Sequence, residues 1–315
     1  MKILVTGVAG FIGSHLAERL ADLGHSVIGL DCLTGYYAPA LKRLNARVVQ
    51  DKGIPIHELD LAVDDLSTAL AEVELIYHLA AQPGISATTS FETYLRNNIT
   101  ATHRLREATK PISSLKCFVN ISTSSVYGRH ATDSETIPPK PTSYYGVTKL
   151  AAEQLVLAYQ REQKLAACSL RLFSVYGPRE RPEKLYPQLI QSILEDKPFN
   201  LYEGSETHSR SYTYVGDIVD GLVAVLDHLD RVDGEIINLG TDVEVTTGEG
   251  IEIVEKILAK PAQKVIKPKR PGDQLRTHAN IDKARTLLGY NPTTTLEQGL
   301  LAEVTWYQQQ IFGKI

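Results

Sequence analysis

The sequence has few cysteines, no long apolar run and no excess of positive charge, and each absence excludes a class of protein. Three cysteines in 315 residues, odd in number and far apart, predict reduced thiols rather than a disulfide framework. Their spacing also predicts no metal site. The formal net charge is −4 and the basic cluster at residues 264–270 is short, which argues against nucleic acid as a partner.

No segment is apolar over the length that a membrane-spanning helix requires. The chain starts directly in a strand-like run, without a charged leader or a small-residue cleavage site. We therefore expect no membrane partner, no secretion and a cytoplasmic location.

Strand and helix signals alternate through the first half of the chain. Short apolar runs occupy residues 2–6, 25–30, 55–59, 75–79, 117–121 and 165–172, and helical spacing occupies residues 11–23, 64–70, 91–110 and 143–162. Such alternation predicts an α/β fold with a parallel sheet and helices on both faces.

The pattern changes after about residue 175, where prolines and short helical segments replace strict alternation. We expect residues 1–175 to form one lobe and residues 176–315 mainly a smaller lobe over the C-terminal edge of the sheet. Segments near residues 213–240 are expected to return to the first lobe.

A glycine-rich turn joins the first strand to the first helix. Gly7, Gly10 and Gly13 form a GxxGxxG pattern. Glycines permit the tight turn and let the backbone approach a pyrophosphate, which the free N–H groups of the helix N-terminus then bind. The pattern predicts a dinucleotide site that includes Phe11 and Ile12.

Two acidic residues follow the next two strands. Asp31 ends the second strand, where a carboxylate can accept the 2′-hydroxyl of the adenosine ribose and repel a 2′-phosphate. NAD is therefore expected rather than NADP. Asp60 has two interpretations: it accepts from the adenine amino group, or it only caps a turn.

A tyrosine and a lysine lie four residues apart on the predicted helix at residues 143–162. Tyr145 and Lys149 therefore share one face of the helix. A free tyrosine is a poor base at neutral pH, but a neighbouring ammonium lowers its pKa. Thr123, at the end of a Ser/Thr-rich strand, could bond the reacting hydroxyl. We predict that these three residues are catalytic and that Tyr145 and Lys149 also contact the cofactor.

Together these motifs resemble the extended short-chain dehydrogenase/reductase family, most closely its nucleotide-sugar 4-epimerases that act on UDP-glucuronate and close relatives. The resemblance covers nearly the whole chain, through TGVAGFIGSH, GLDCLTGYY, HLAAQPG, STSSVYG, YGVTK, LRLFSVYGPRERP and RPGDQLRT. It implies a Rossmann domain, a smaller nucleotide-sugar lobe, tightly bound NAD and a homodimer packed through two long helices. It also implies cofactor contacts at Leu61, Leu79, Ala80, Ala81 and Asn98.

The residues after Thr123 separate the reactions within this family. Dehydratases carry Asp-Glu there, and UDP-glucuronate decarboxylases carry a glutamate two places before the tyrosine of VYG. This chain has Ser124 and Ser125, which is the pattern similar to glucuronate epimerases. The resemblance places both serines at the substrate.

The resemblance also implies the other contacts to a UDP-sugar. Arg181, with Ser174 nearby, would meet a sugar carboxylate, or would only anchor the lobe. The remaining implied contacts are to the pyrophosphate and the uridine, and they are made by Arg210, Arg270 and Asp273.

Of the positions that depart from the family pattern, two bear on which sugar is bound. Ser86 replaces an arginine, which weakens the case for an acidic sugar. Thr277 replaces a bulky tyrosine that can narrow the sugar pocket, so an N-acetyl sugar stays open.

The sequence thus predicts an NAD-dependent UDP-sugar 4-epimerase of the UDP-glucuronate or UDP-glucose type. Transient oxidation at C4, rotation of the keto-sugar and reduction from the other face would invert that carbon. The alternatives are a decarboxylase or 4-reductase on the same scaffold, and a sensor that binds NAD without turnover.

Overall fold

A computed structural model describes residues 1–86, 88–162, 164–269 and 275–314. Its strands, β1 to β15 in chain order, are Lys2–Thr6, Ser26–Asp31, Ile56–Glu58, Leu75–His78, Cys117–Thr123, His130–Ala131, Ala167–Leu172, Val175–Tyr176, Pro198–Tyr202, Ser209–Arg210, Thr213–Tyr214, Ile236–Leu239, Val245–Thr246, Gln263–Lys267 and Arg276–Thr277. Its α-helices, α1 to α12, are Phe11–Asp22, Pro39–Asp51, Ser67–Leu70, Phe91–Tyr94, Ala101–Ala108, Tyr144–Arg161, Leu185–Leu194, Val215–Ala224, Leu229–Val232, Thr247–Leu258, Asp282–Leu288 and Leu296–Gln310. A π-helical segment, Leu95–Thr100, joins α4 to α5.

Seven strands form one parallel sheet in the order β12-β7-β5-β4-β1-β2-β3. The chain moves outward from β1 in one direction through β2 and β3, and then in the other through β4, β5 and β7. This reversal puts the switch point between β1 and β4, where open α/β sheets bind ligands beyond the carboxyl ends of their strands. The predicted α/β Rossmann fold is confirmed.

The strands of this sheet are apolar because both faces of the sheet are covered. Every residue of β4, β5 and β7 is buried, as expected for parallel strands between two helical layers. Helix α1 buries Leu16, Ala17 and Leu20 and packs against α8. Each fully buried leucine contributes about 1.5–3 kcal/mol.

The second half of the chain, with β6 from the first half, supplies smaller sheets and a separate apolar cluster. Strands β13, β10, β15 and β6 form a four-stranded sheet, and β14 pairs with β9. The cluster includes Tyr186 and Ile190 of α7, Ile251 of α10, and Leu300 and Val304 of α12. Strand β12 lies at the edge of the large sheet beside β7.

Two helical expectations differ from the structure. The helix predicted at residues 64–70 is a single turn, Ser67–Leu70. Helix α2 was not predicted, and its buried positions include the polar residues Lys42 and Asn45 beside Ala46 and Val49. Proline at the start of a helix, here Pro39, was the available signal.

None of the helices in the described ranges is long and apolar enough to cross a membrane.

Candidate active site

A cavity of about 1250 Å³ lies at the carboxyl ends of the parallel strands, between the large sheet and the elements of the second half. It exceeds the roughly 300–1,000 Å³ typical of a pocket for one small ligand. The predicted site residues that line it are Gly7, Gly10, Phe11, Ile12, Gly13, Asp31, Asp60, Leu61, Leu79, Ala80, Ala81, Thr123, Ser124, Ser125, Tyr145, Lys149, Ser174, Arg181 and Arg210.

The glycine-rich turn fits a dinucleotide. Gly7 has φ +71°, and a Cβ there would lie 2.8 Å from the Ala80 backbone nitrogen. A Cβ on Gly13 would lie 2.2 Å from the Gly7 carbonyl oxygen. Gly10 gives α1 no side-chain cap, and the first turn of α1 has no acidic residue. The N–H groups at this helix end are therefore suited to an anionic ligand.

Replacing Gly13 with alanine is expected to lower NAD affinity by about tenfold or more. The added methyl cannot fit against the Gly7 carbonyl, and overpacking of this kind costs about 1–3 kcal/mol. Calorimetric titration with NAD measures the effect. Gly35→Ala is the matched control, because a Cβ there meets nothing within 4 Å. Equal affinity in the two variants would contradict the prediction.

Backbone hydrogen bonds fix the Asp31 carboxylate at the position predicted for binding the adenosine ribose. One carboxylate oxygen accepts from the Ala9 N–H at 3.1 Å and the other from the Leu33 N–H at 2.8 Å. The Lys42 ammonium lies 3.8 Å from the same side chain. These bonds fix the carboxylate at the end of β2, where it faces the cavity.

Asp60 caps a turn, which is one of the two roles that the sequence allows for it. It accepts from the Ala62 N–H at 2.9 Å and pairs with Arg96 at 2.6 Å. Its side chain also borders the cavity, so a contact to adenine stays a prediction.

Tyr145 and Thr123 are brought together by the start of α6 and the end of β5. Ser143 caps α6 by accepting from the Gly146 N–H, so Tyr145 lies in the first turn. Burial raises the pKa of Tyr145, whereas a hydrogen bond from Thr123, the Arg181 charge and the Gly84 N–H lower it. Burial outweighs the groups that favour the phenolate, so the low pKa that the sequence predicted for Tyr145 is not found.

Lys149 lies one turn further along α6 and is only 4% exposed. Burial lowers its pKa to about 8, and the negative charge of Glu153 opposes that shift. Glu153 is itself buried and paired with Arg171 at 2.6 Å. At neutral pH the ammonium form still predominates, so Lys149 can donate hydrogen bonds into the cavity.

Two residues that the resemblance places at ligands do not line the cavity. The Asn98 side chain is buried, accepts from the Gln82 N–H at 2.7 Å and donates to Thr148 at 3.0 Å. It therefore joins the segment after β4 to α6, and its contact with a cofactor stays a prediction. Thr277 is fully buried in β15, accepts from the Ser211 N–H at 3.3 Å and does not line the cavity.

Arg270 and Asp273 lie outside the described residues. Sequence reasoning missed several cavity residues, including Tyr36, Tyr37, Lys42 and Tyr212. Tyr36 and Tyr37 belong to the GLDCLTGYY segment, but nothing in their spacing indicated the cavity. Groups of three or more histidine, cysteine or acidic residues suited to a metal ion do not occur in the part of the chain that the structure describes.

At the level of class, the geometry is that of a dinucleotide-binding α/β enzyme. The model of the NAD dependent epimerase/dehydratase family matches residues 3–240, and the chain belongs to that family.

The chain is similar over its full length to curated and solved relatives. It is 39% identical to the uncharacterized UDP-glucose epimerase YtcB of Bacillus subtilis, with 100% of both chains covered. It is 36% identical to UDP-glucuronate 4-epimerase 1 of Arabidopsis thaliana, covering 98% of this chain and 76% of the relative. A crystal structure of UDP-glucuronic acid 4-epimerase from Bacillus cereus, in complex with UDP-glucuronic acid and NAD, is 41% identical with a TM-score of 0.93 and covers 98% and 99% of the two chains.

Proposed function

We propose that this protein is an NAD-dependent UDP-sugar 4-epimerase. The observation that carries the proposal is the single cavity in which the glycine-rich turn, the Thr123–Tyr145 pair and Lys149 meet Arg181 and Arg210. The same reaction is named for relatives that match this chain over nearly its full length.

The chemistry divides between the protein and its cofactor. When bound, an oxidised nicotinamide supplies the hydride acceptor, and later the hydride donor, for C4, and its positive charge favours the phenolate of Tyr145. Tyr145 accepts the proton of the 4-hydroxyl, with Thr123 bonding the same oxygen. Lys149 would hold the nicotinamide ribose.

Inversion requires the sugar to turn while the nucleotide stays in place. Arg210 borders the cavity in the second half of the chain, and its guanidinium suits a diphosphate. The serines at positions 124 and 125 cannot replace the carboxyl groups that dehydration or decarboxylation would need, so Tyr145 returns the proton to the oxygen on C4.

We further propose that the acidic sugar, UDP-glucuronate, is a substrate. Arg181 lines the cavity together with Tyr145, so a sugar carboxylate bound there could reach the guanidinium. Glu183 lies 2.7 Å from Arg181 and competes for the same charge. The Ser86 hydroxyl accepts from the Thr88 and Thr89 N–H groups and adds no charge.

We also propose a cytoplasmic homodimer. Phe91, Leu95, Tyr144 and Val147 leave apolar side chains 38–59% exposed, and the Phe91 and Tyr144 rings contact each other at 5.3 Å. This patch lies on the helical segments predicted at residues 91–110 and 143–162, whose apolar positions are compatible with a dimer. The free thiols of Cys32, Cys117 and Cys168 fit a reducing compartment.

We propose the same two lobes that the sequence predicts. Residues 1–175, with the segments near residues 213–240, would bind NAD. Residues 176–315 would mainly bind the nucleotide-sugar.

Incubation of the purified protein with UDP-glucose, UDP-glucuronate and their N-acetyl forms tests the function, with NMR of the products as the measurement. We expect inversion at C4 without net consumption of NAD. Release of carbon dioxide would indicate a decarboxylase, and stoichiometric use of NADH would indicate a reductase. Absence of C4 inversion with every sugar would reject the proposal.

A further inference from the structure

The segment at residues 177–182 carries Arg181 into the cavity and is fixed on one side by α1. The Arg179 guanidinium pairs with Glu18, and His15 Nε2 bonds to the Pro178 carbonyl oxygen at 2.9 Å. Burial lowers the pKa of His15 to about 4, so this attachment does not titrate near neutral pH.

On its other side, the same segment meets α12 through two glutamates. Glu180 is 7% exposed and Glu303 is 1% exposed, and their carboxyl groups lie within hydrogen-bonding contact. In the described part of the chain, Glu180 Oε2 and both oxygens of Glu303 lack a well-formed bond to a donor group. Two ionised carboxylates cannot form such a contact, so one proton must lie between them.

Close packing fixes α12 in this position. Gly299 lies one helical turn before Glu303, and a Cβ at Gly299 would lie 2.1 Å from the Tyr176 hydroxyl oxygen. Tyr176 belongs to β8, which leads directly into the 177–182 segment. Helix α12 and the segment therefore cannot separate by small rotations without losing this packing.

The surroundings of the pair favour the shared proton. Burial raises the pKa of Glu180 to about 8, although Lys184 and Arg181 oppose the shift, and burial followed by the charge of Glu180 raises the pKa of Glu303. The titratable and charged groups that face the two carboxyl groups are Tyr176, Arg181, Glu183, Lys184, Tyr186, Tyr212 and Tyr214.

We propose that Glu180 and Glu303 form a carboxyl pair that shares one proton and positions Arg181 for the UDP-sugar. Both are positioning residues, and α12 thereby supports the sugar site. The inference rests on the proposed function for its kinetic consequences but not for its effect on stability.

Loss of the shared proton has two consequences. The second negative charge repels its partner across the joint between α12 and the segment, and it adds a negative charge beside a cavity that binds a diphosphate. Both weaken substrate binding. Because the folded pKa lies above the ordinary value near 4.5, the unfolded chain ionises first, so the free energy of unfolding falls as pH rises from about 4.5 to about 8.

The pH dependence of KM and of urea unfolding tests the proposal in the holoenzyme. At one pH unit above the pKa of the pair, about a tenth of the protein stays competent, so KM of the wild type should rise about tenfold. The double variant Glu180→Gln with Glu303→Gln should keep a constant KM there, because two amides hydrogen-bond at any pH. The fall in unfolding free energy between pH 5 and 8 should also be smaller in the double variant.

Glu297→Gln is the matched control, because Glu297 also lies on α12 but is 56% exposed and pairs with Lys256. It should keep the wild-type profile in both measurements. If the double variant also keeps that profile, the shared proton is excluded. If no UDP-sugar is epimerised, the proposed function fails, whereas the unfolding data and the pH dependence of UDP binding still decide on the pair.

Discussion

Tyr145→Phe should lower kcat by roughly two to four orders of magnitude, the usual contribution of a positioned acid–base group. The phenyl ring keeps the packing against Tyr94, whose ring centroid lies 6.3 Å away, so only the proton-transferring oxygen is lost. Single-turnover kinetics with a UDP-sugar measures the effect. The NAD content of the purified protein should not change.

The neighbouring tyrosine provides a matched control. Tyr144 is 59% exposed and its ring contacts Phe91, away from the cavity. Tyr144→Phe should therefore keep kcat within a factor of about two, by the ordinary tolerance of surface positions. Comparable losses in both variants, or full activity in Tyr145→Phe, would remove Tyr145 from the reaction.

Glu153→Ala should destabilise the protein by about 3–5 kcal/mol, the usual cost of leaving one partner of a buried ion pair without the other. Glu153 is fully buried, and its carboxylate accepts from Arg171 at 2.6 and 3.0 Å and from the Ser169 hydroxyl at 3.1 Å. Arg171 also donates to Tyr127. Urea unfolding at pH 7 measures the loss.

An exposed ion pair with the same N–O distance shows whether burial determines the loss of stability. Asp22 and Lys52 also approach to 2.6 Å, but their side chains are 50% and 42% exposed. Asp22→Ala should cost no more than about 1 kcal/mol. Equal costs for the two variants would contradict the argument from burial.

Glu153→Ala should also change the pH dependence of the reaction, measured on the protein that remains folded. The negative charge of Glu153 raises the pKa of Lys149 against the effect of burial. Its removal should shift the alkaline limit of kcat/KM to lower pH.

The parts of the site that depend on backbone geometry could be predicted from the sequence. The glycine pattern, Asp31 and the Tyr145–Lys149 spacing each follow from the period of one strand or helix, and all of them line the cavity. The sheet could be predicted for the same reason, because its strands are buried on both faces and read as continuous apolar runs.

The parts of the site that depend on contacts between distant segments could not be predicted from the sequence. Glu180 and Glu303 are 123 residues apart, and no local pattern indicates that their side chains meet. The resemblance places the Asn98 side chain at the cofactor. In the structure its hydrogen-bond partners are Gln82 and Thr148, and no local pattern indicates this. Burial of the Tyr145 hydroxyl, which sets the direction of its pKa, also comes from the assembled fold.

The route of the chain through the large sheet makes the two halves interdependent. Strand β12 and helix α8 come after β8 to β11, yet β12 completes the sheet beside β7, and Tyr77 of β4 donates to the Leu222 carbonyl of α8 at 2.8 Å. A fragment cut after residue 175 would expose the edge of β7 and the apolar face of α1. Evolutionary exchange of the sugar-binding half as a cassette would meet the same obstacle, so new specificities on this scaffold should arise by substitution within the cavity wall.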